Sequence, residues 1–512
     1  MRITNKVMQN NSLRHINNNK TLQDTLNTQL STGKKVDKPS DDPVVAIRAL
    51  RLRSDVSQID QYYKKNIEDA KSWLELTESS VKQTVTALTS MITQCEAGAS
   101  DQYTVQNKLV MIDSLKELKD EVYNIGNADY AGRYIFTGYR TNTSLTFGNE
   151  VKDQKYSVTE AFDFDDLEKL SFVDTDNLAG ITKANYEDPA STAVTEQAIS
   201  SMDYYRFRLG YDGLDTTQSN LSIQTLDGSV SITMTVAADA ESAYKASATN
   251  PDGCYIVPQT GEVVMGANVY DQINNTKNAD GTKAKFTLSY DKTEWRNTDL
   301  RPEHYYYCTT EDTSFTPAKK IEYNAEYKDK GEWNQPIKYQ IGFDQNIQVN
   351  SYASDIFVTD VGRDIDEITD LAEKLTDVLE KYDMLKDMSK DTVSYTDAQL
   401  DTIKGELAAA DKAKTFLTDQ LQKTFSKYIT KIQGYLDLAN RAVAEIGNRG
   451  AQVDLVANRL SDQQTTFKEL QSNNEDADAT EVAVQLSSAQ VSYEAALMAT
   501  SKMISTTLLN YL

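Results

Sequence analysis

Both ends of this chain carry long runs of apolar residues at alternating spacings of three and four. That spacing places the apolar side chains on one face of an α-helix, and the face must be buried against a partner. In the C-terminal third the rhythm lasts for about six heptads. Its members are Phe425, Ile429, Ile432, Leu436, Ala439, Val443, Ile446, Gly450, Val453, Ala457, Leu460 and Phe467. The ends therefore predict long paired helices.

The N-terminal end repeats this pattern in two segments. The first runs from Val56 to Cys95, and the second runs from Met111 to Ile125 and ends near Gly126. The break at 97–100 between them predicts a helical hairpin. Further along, a shorter helix is predicted over 365–382, and Thr396 and Gln399 have the spacing of a capping box that opens another helix.

The last helix offers two apolar stripes, which indicates more than one partner surface. One stripe consists of Val482, Leu486, Ala489, Tyr493, Ala496 and Met503, and the neighbouring one of Leu497, Ile504, Leu508 and Tyr511. The first helix is interrupted by five asparagines between residues 10 and 19, so it is marginal alone. Helices that are completed by neighbouring copies account for both features. An ordinary coiled coil within one chain is the alternative.

Between about Phe147 and Asp355 the pattern changes to short runs of period two, separated by Asp-Gly turns. These runs predict antiparallel strands, with a hairpin at Leu226–Ser229. We expect this insertion at the far end of the helical bundle, where a hairpin tip tolerates added domains.

The predicted fold class is α+β, with a long antiparallel α-helical coiled-coil bundle formed by both termini and a β-rich insertion domain in the middle. Five regions follow from the pattern. They are an N-terminal assembly helix at 1–42 that is disordered until assembly, a helical hairpin at 43–147, the β-rich insertion at 148–355, C-terminal helices at 356–475 and a C-terminal assembly helix at 476–512.

Charge and cysteine content exclude several functions. The chain has 53 Lys and Arg against 77 Asp and Glu, a formal charge of -24, which repels nucleic acids and anionic membranes. No apolar run is long enough to span a membrane, and the first thirty residues lack the apolar core of a signal peptide. We therefore expect a cytosolic chain or export by another route. The three cysteines are far apart and predict neither a disulfide framework nor a zinc site.

The residues expected of an enzyme are missing. The two histidines, His15 and His304, have no cysteine or carboxylate partner nearby in sequence, so we interpret them as surface or packing residues. No nucleophile elbow, phosphate-binding loop or dinucleotide fingerprint is present. Carboxylate pairs such as Asp41-Asp42 are more simply helix caps. We expect no catalytic, cofactor-binding or metal-binding residues, and no enzymatic activity.

Two motifs carry a family resemblance. Residues 30–43 read LSTGKKVDKPSDDP, which physically predicts a helix stop at Gly33 and an extended pair before Pro39. A new helix follows, with Ser40 or Asp41 as its cap and Pro43 in its first turn. This segment closely resembles the turn after the first helix in the flagellin superfamily. The motif residues are Gly33, Pro39, Ser40, Asp41, Asp42 and Pro43.

The Lys-Pro-Ser-Asp-Asp-Pro version resembles the hook-associated protein 3 family in particular, because flagellin usually carries Ala where Pro43 stands. The second motif is GRYIFTGYRT at 132–141, similar to the superfamily's G-R-Y-I-F-x-G motif, with Gly132, Arg133, Tyr134, Phe136 and Gly138 as its defining residues. Weaker likeness follows at 339–350 and 449–460. The resemblance covers about residues 1–147 and 338–512.

The resemblance implies a structural subunit of the bacterial flagellum at the hook–filament junction, secreted through the flagellar type III apparatus without a cleaved signal. It implies a homo-oligomeric ring between hook-associated protein 1 and flagellin, and an export chaperone at the C-terminal helix. The implied assembly interface consists of Ile3, Val7, Ile16, Leu26, Leu30, Leu486, Tyr493, Leu497, Ile504 and Leu508. A flagellin that builds the filament is one alternative, and a secreted adhesin or hydrolase carried by the insertion is another.

Overall fold

A computed structural model describes residues 5–186, 194–218, 221–226, 228–278, 281–325 and 335–505. The chain divides into two compact units. The terminal unit comprises residues 1–72, 339–347 and 450–512, and the central unit comprises residues 73–338 and 348–449.

Helices make up much of both units. They are α1 (Asn5–Thr32), α2 (Pro43–Gln61), α3 (Glu68–Ala99), α4 (Val105–Ile125), α5 (Asp176–Ala179), α6 (Ala240–Thr249), α7 (Ala267–Asn275), α8 (Asp360–Met388), α9 (Asp397–Glu475) and α10 (Ala479–Ser505). A π-helical turn, Tyr62–Ile67, joins α2 to α3.

The strands lie mostly between α4 and α8. They are β1 (Asp129–Tyr130), β2 (Arg133–Tyr134), β3 (Gln154–Phe162), β4 (Glu168–Val173), β5 (Ser201–Arg208), β6 (Ser222–Thr225), β7 (Ser231–Thr233), β8 (Thr235–Val236), β9 (Cys254–Val257), β10 (Glu262–Met265), β11 (Phe286–Lys292), β12 (Tyr307–Asp312), β13 (Lys319–Tyr323), β14 (Lys338–Gly342) and β15 (Gln345–Gln348).

Helices α1 and α10 pack together in the terminal unit, as the apolar periodicity predicts. Leu26 on α1 forms a buried cluster with Val482 and Ala489 on α10, and Leu486 packs against it. The side chain of Gln23 also donates a hydrogen bond to the carbonyl of Ala489 at 3.0 Å. The predicted α+β class, with paired terminal helices and a β-rich middle, is confirmed.

Several predicted helix ends are confirmed in the central unit. Helix α3 ends at Ala99, and α4 is followed by Gly126 as its C-cap residue. The capping box is formed at the start of α9, where the Thr396 backbone N–H donates to the Gln399 side chain at 2.9 Å. The Gln399 N–H donates back to the Thr396 hydroxyl at 3.4 Å. Two orphan backbone donors are thereby satisfied.

The described part of the insertion contains two sheets of five or more strands. One has the strand order β13-β12-β3-β11-β6-β7, and the other has β4-β5-β10-β9-β8. The predicted hairpin is confirmed, since β6 pairs with β7 antiparallel and Gln224 lies opposite Ser231. Asp227 of its turn lies outside the described residues. Phe162, Phe207 and Phe286 stack in the core of the insertion.

The insertion lies along α8 and α9, and is not confined to a helix tip. The side chains of Arg206 and Arg208 on β5 are only 1% and 5% exposed, and both bond carboxylates of α8. The partners are Glu367, which both arginines contact, and Asp364, which Arg208 contacts. Buried charges need such compensation, so their pairing explains why the sheet packs along the helices.

Two expectations from composition can be compared with the structure. Cys95, Cys254 and Cys308, all within the described part of the chain, are buried and form no disulfide bonds. Among the described helices, none combines the length and the apolar character that a membrane crossing requires.

Candidate assembly site

The first family motif begins with a helix stop in the terminal unit. Gly33 has a φ of +68°, a left-handed conformation that glycine adopts without strain. Its N–H donates to the carbonyl of Gln29 at 2.8 Å and so ends α1. The stop predicted at Gly33 is confirmed. The backbone conformation explains why glycine is needed there.

The cap of α2 is Asp42, so the prediction of Ser40 or Asp41 was wrong. Pro43 occupies the first helical position, which makes the preceding residue the cap. The Asp42 carboxylate accepts the N–H groups of Val44 and Val45 at 3.0 and 3.1 Å. Asp41 instead closes the turn, because its carboxylate accepts the N–H of Lys38 at 3.1 Å.

The turn between α1 and α2, residues 33–42, is called the motif turn, and it is joined to the connection between α9 and α10. The Lys35 N–H donates to the carbonyl of Glu475 at 2.7 Å, and the Ala477 N–H donates to the carbonyl of Gly33 at 2.9 Å. Lys34 and Asp476 form an isolated antiparallel bridge. Residues 440 and 444 positions apart are thus held by main-chain hydrogen bonds.

Glu475 forms ion pairs with two basic residues at this contact between the motif turn and the end of α9. Its side chain is only 4% exposed, and Arg53 on α2 binds both carboxylate oxygens, at 2.8 and 2.6 Å. Lys34 approaches Glu475 at 3.4 Å and Asp476 at 2.6 Å. The hydrogen bond from Arg53 holds the pKa of Glu475 below its usual value. A bidentate pair of this kind fixes direction as well as distance.

The predicted interface residues differ widely in exposure. Leu26 is buried, Ile16, Leu486 and Tyr493 are half-buried, and Val7, Leu30 and Leu497 are exposed. Ile3 and Leu508 lie outside the described residues, and Ile504 lies in α10 but its side chain is not among those described.

A third apolar stripe on α10, outside the two predicted ones, was missed by the sequence analysis. Val484, Val491 and Met498 are 66%, 67% and 66% exposed, and they repeat every seven residues. They follow the α1-facing positions Val482 and Ala489 by two residues, a rotation of about 200° on a helix. The stripe therefore faces away from α1. Its seven-residue spacing is visible in the sequence and could have identified it.

The second family motif has a packing role in the central unit. Ile135 and Phe136 are fully buried, and the Phe136 ring meets Phe357 edge-on at 4.9 Å. The guanidinium of Arg133 lies 4.7 Å from the centre of the Trp73 ring. Tyr134 donates its N–H to the carbonyl of Thr141 at 2.8 Å.

The two motif glycines have left-handed backbones, with φ of +76° at Gly132 and +65° at Gly138. A Cβ atom at Gly138 would approach the Tyr352 ring to 3.0 Å. The motif thus requires glycine for backbone conformation and for close packing.

Two sets of polar side chains in the central unit, His304 and an acidic cluster, have structural partners. His304 is buried and its Nε2 lies 3.0 Å from the carbonyl of Ser144; burial lowers its pKa to about 4. Asp174, Asp176 and Glu241 lie close enough together to hold a metal ion. Lys245 pairs with both aspartates and Lys374 pairs with Glu241, so each of the three carboxylates already has an ammonium partner.

Comparisons with known proteins agree with the motif assignment. Residues 3–141 match the bacterial flagellin N-terminal helical region. Flagellar hook-associated protein 3 of Salmonella typhimurium is 30% identical over 145 residues, which cover 28% of this chain and 45% of that protein. A flagellin of Clostridium tyrobutyricum is 23% identical over 220 residues, covering 40% of this chain and 58% of the flagellin.

A solved structure, FlgL of Xanthomonas campestris, overlaps 83% of this chain and 99% of its own at 10% identity, with a TM-score of 0.28. The match to hook-associated protein 3 spans less than half of that relative's length. Residues 3–141 of this chain are therefore similar to the bacterial flagellin N-terminal helical region, and the resemblance predicted from its two motifs, which both lie in this segment, is confirmed.

Proposed function

We propose that this chain is a secreted structural subunit of the bacterial flagellum at the hook–filament junction, and that it acts through helix packing between copies. The observation that carries this proposal is the exposed stripe of Val484, Val491 and Met498 on the face of α10 that is turned away from α1. An apolar face of this kind is stabilised when a neighbouring subunit covers it.

Exposed apolar side chains on the other helices of the terminal unit support the same proposal. Val7, Leu13 and Leu22 on α1, and Ile47 and Leu50 on α2, are exposed. The relatives are named as a flagellar hook-associated protein and a flagellin, and neither name is that of an enzyme. This agrees with the lack of a recognisable nucleophile or phosphate-binding motif, and we propose no enzymatic activity.

We also propose three kinds of partner for this chain. A homo-oligomeric ring that contacts hook-associated protein 1 on one side and flagellin on the other is what the family resemblance implies. The C-terminal helix is then the segment that an export chaperone holds before assembly. Its exposed stripe gives such a chaperone an apolar face to cover.

A flagellin that builds the filament is the second candidate, favoured by the match to the Clostridium tyrobutyricum protein. Deletion of the gene separates the two candidates. A junction protein predicts that the null strain keeps its hooks and releases flagellin monomer into the medium. A null strain that keeps hooks and full-length filaments contradicts the junction assignment, whereas loss of the filament protein itself favours flagellin.

The α10 stripe gives a direct test of packing between copies. We expect Val491→Asp to be exported but absent from flagella, because a carboxylate would be buried at the subunit interface. Val393→Asp is the matched control, since Val393 is 95% exposed in the connection between α8 and α9. Immunoblots of sheared flagella and of culture supernatant measure both variants. Normal incorporation of the Val491→Asp variant into flagella would contradict the assigned role of the stripe.

A further inference from the structure

The hairpin of β14 and β15 presents an aromatic side chain at its turn. Phe343 is 86% exposed, and the next residue, Asp344, has a φ of +55°. The hairpin is anchored within the terminal unit. The Asn66 side chain donates to the carbonyl of Gln340 at 2.7 Å, and Arg459 bonds the other strand. The ring is therefore held on a fixed support, as an anchor residue of an interface requires.

A cleft of matching size lies elsewhere in the same unit. It has a volume of about 130 Å³ and lies between the motif turn and the start of α2. Its apolar lining includes Val36, Pro39, Ala49 and Leu50. An enclosed apolar cavity of about 150 Å³ takes up benzene. The volume of the cleft is therefore close to the volume that a phenyl ring fills, and its apolar residues offer the ring a contact surface.

The charges around the cleft favour an acidic partner. Residues 33–53 contain six basic and three acidic side chains, a net charge of +3 within a chain of net charge -24. Lys34, Lys38 and Arg53, called the basic rim below, line the cleft together with Asp37 and Glu475, which gives these five side chains a net charge of +1. Glu475 is the carboxylate that pairs with Lys34 and Arg53. A second copy of the chain repels this one overall, so attraction must come from a local patch of opposite charge. Asp344 places a carboxylate directly beside Phe343.

We propose that Phe343 of one copy inserts into this cleft of a second copy, with Asp344 facing the basic rim. The proposal rests on the proposed function, since it names one contact of the assembly. The ring and the cleft belong to different surfaces, so the contact is heterologous and leaves one ring and one cleft available for further copies.

The two features are also well separated along α9. Arg459 holds the hairpin, whereas Glu475 lines the cleft, and 16 residues of helix span about 24 Å. Each added copy therefore joins at one site and presents the other site at a distance. This geometry extends an array, whereas a contact between identical surfaces would end at a dimer.

Thiol cross-linking tests this contact in the full-length chain. The three native cysteines are buried, so thiols introduced at the surface are the reactive ones. Asn346→Cys lies on the hairpin and Ser40→Cys lies next to Pro39 of the cleft, and both positions are exposed. With a short bismaleimide, the double variant is expected to form a ladder of dimers, trimers and larger products. Each single variant is expected to give at least tenfold less product.

The control variant carries Val393→Cys with Ser40→Cys, which places an exposed thiol in the central unit instead of on the hairpin. A ladder of equal strength from the control, or no ladder from the Asn346 and Ser40 pair, overturns the proposal. Adding Phe343→Ser to the double variant is expected to reduce the ladder at least tenfold, whereas Leu226→Ser, at an exposed residue of the insertion, leaves it unchanged.

The outcomes distinguish this contact from the proposed function itself. If Val491→Asp blocks incorporation while Phe343→Ser leaves cross-linking and incorporation unchanged, the assembly role stands and the hairpin contact falls. If both variants incorporate normally, the assembly role of the terminal unit falls as well.

Discussion

At the residue scale, burial changes the pKa of single titratable groups in the central unit. Glu160 on β3 is buried, and burial raises its pKa to about 7. Two donors act in the opposite direction, because its carboxylate accepts hydrogen bonds from the Tyr290 hydroxyl and from the N–H of Gly210. A carboxyl group of this kind makes the stability of the fold depend on pH.

The direction of this pH dependence follows from the pKa of Glu160 in the folded and in the unfolded chain. Between the unfolded pKa of 4.5 and the folded pKa of about 7, the folded chain holds a proton at Glu160 that the unfolded chain has lost. The free energy of unfolding therefore falls as pH rises through this window, by about 3 kcal/mol in total.

We expect Glu160→Gln to remove this contribution, so that the variant gains stability relative to the natural chain between pH 4.5 and pH 8. Thermal unfolding of both chains across this range measures the difference. The matched control is Glu150→Gln, at an exposed glutamate. The same pH dependence in both variants would contradict the assignment.

At the element scale, one glycine sets how closely two helices of the central unit pack. A Cβ atom at Gly98 on α3 would lie 2.6–2.8 Å from ring carbons of Phe425 on α9. Phe425 is fully buried, so its ring has little room to shift. Sequence analysis recognised the 97–100 segment as a helix break. The role of Gly98 in helix contact emerged only from the packing.

We expect Gly98→Ala to destabilise the central unit by about 1–3 kcal/mol, because overpacking outweighs the higher helix propensity of alanine. Gly434→Ala on α9 is the matched control, since no atom lies within 4 Å of the added Cβ. That variant should gain up to about 1 kcal/mol from propensity alone. Unfolding in urea measures both changes, and a stabilised Gly98→Ala variant would show that the ring yields.

At the scale of the whole molecule, the insertion is joined to the helices by buried charge. Arg206 contacts Glu168, Glu262 and Glu367, which come from two strands and from α8. Tyr428 on α9 also donates to Glu367. Burial alone would raise the pKa of Glu367, but Arg206 and Arg208 lower it to about 2. The insertion and the helices of the central unit are therefore expected to unfold together.

We expect Glu367→Gln to destabilise the central unit by about 3–5 kcal/mol at neutral pH, because two buried arginines lose a counter-charge. Glu367 stabilises the fold above its unfolded pKa of 4.5, and this is lost as pH falls towards the folded value of about 2. The difference between the two chains should therefore shrink in acid.

Calorimetry at pH 7 and pH 3 measures this difference. Glu380→Gln, at an exposed position on α8, serves as the control. A cost at pH 7 no larger than that of the control would show that the network contributes nothing to the stability of the unit.

The sequence by itself determined the features that repeat over short distances. The heptad rhythm located the helices, the period-two runs located the strands, and the turn chemistry at Gly33 and Thr396 located helix ends. Each of these follows from the backbone period of one element and its immediate neighbours. The two family motifs were likewise visible as residue strings.

Only the tertiary structure decided which faces are covered and which residues meet. It placed Glu475 against Arg53, Arg206 against Glu367, and left Val491 exposed while Ala489 was buried. These contacts join segments that are far apart in the chain, or depend on which of two apolar faces meets a partner. A periodic apolar pattern predicts that a helix or strand has an apolar face. The partner that covers this face is set by the packing of the whole fold.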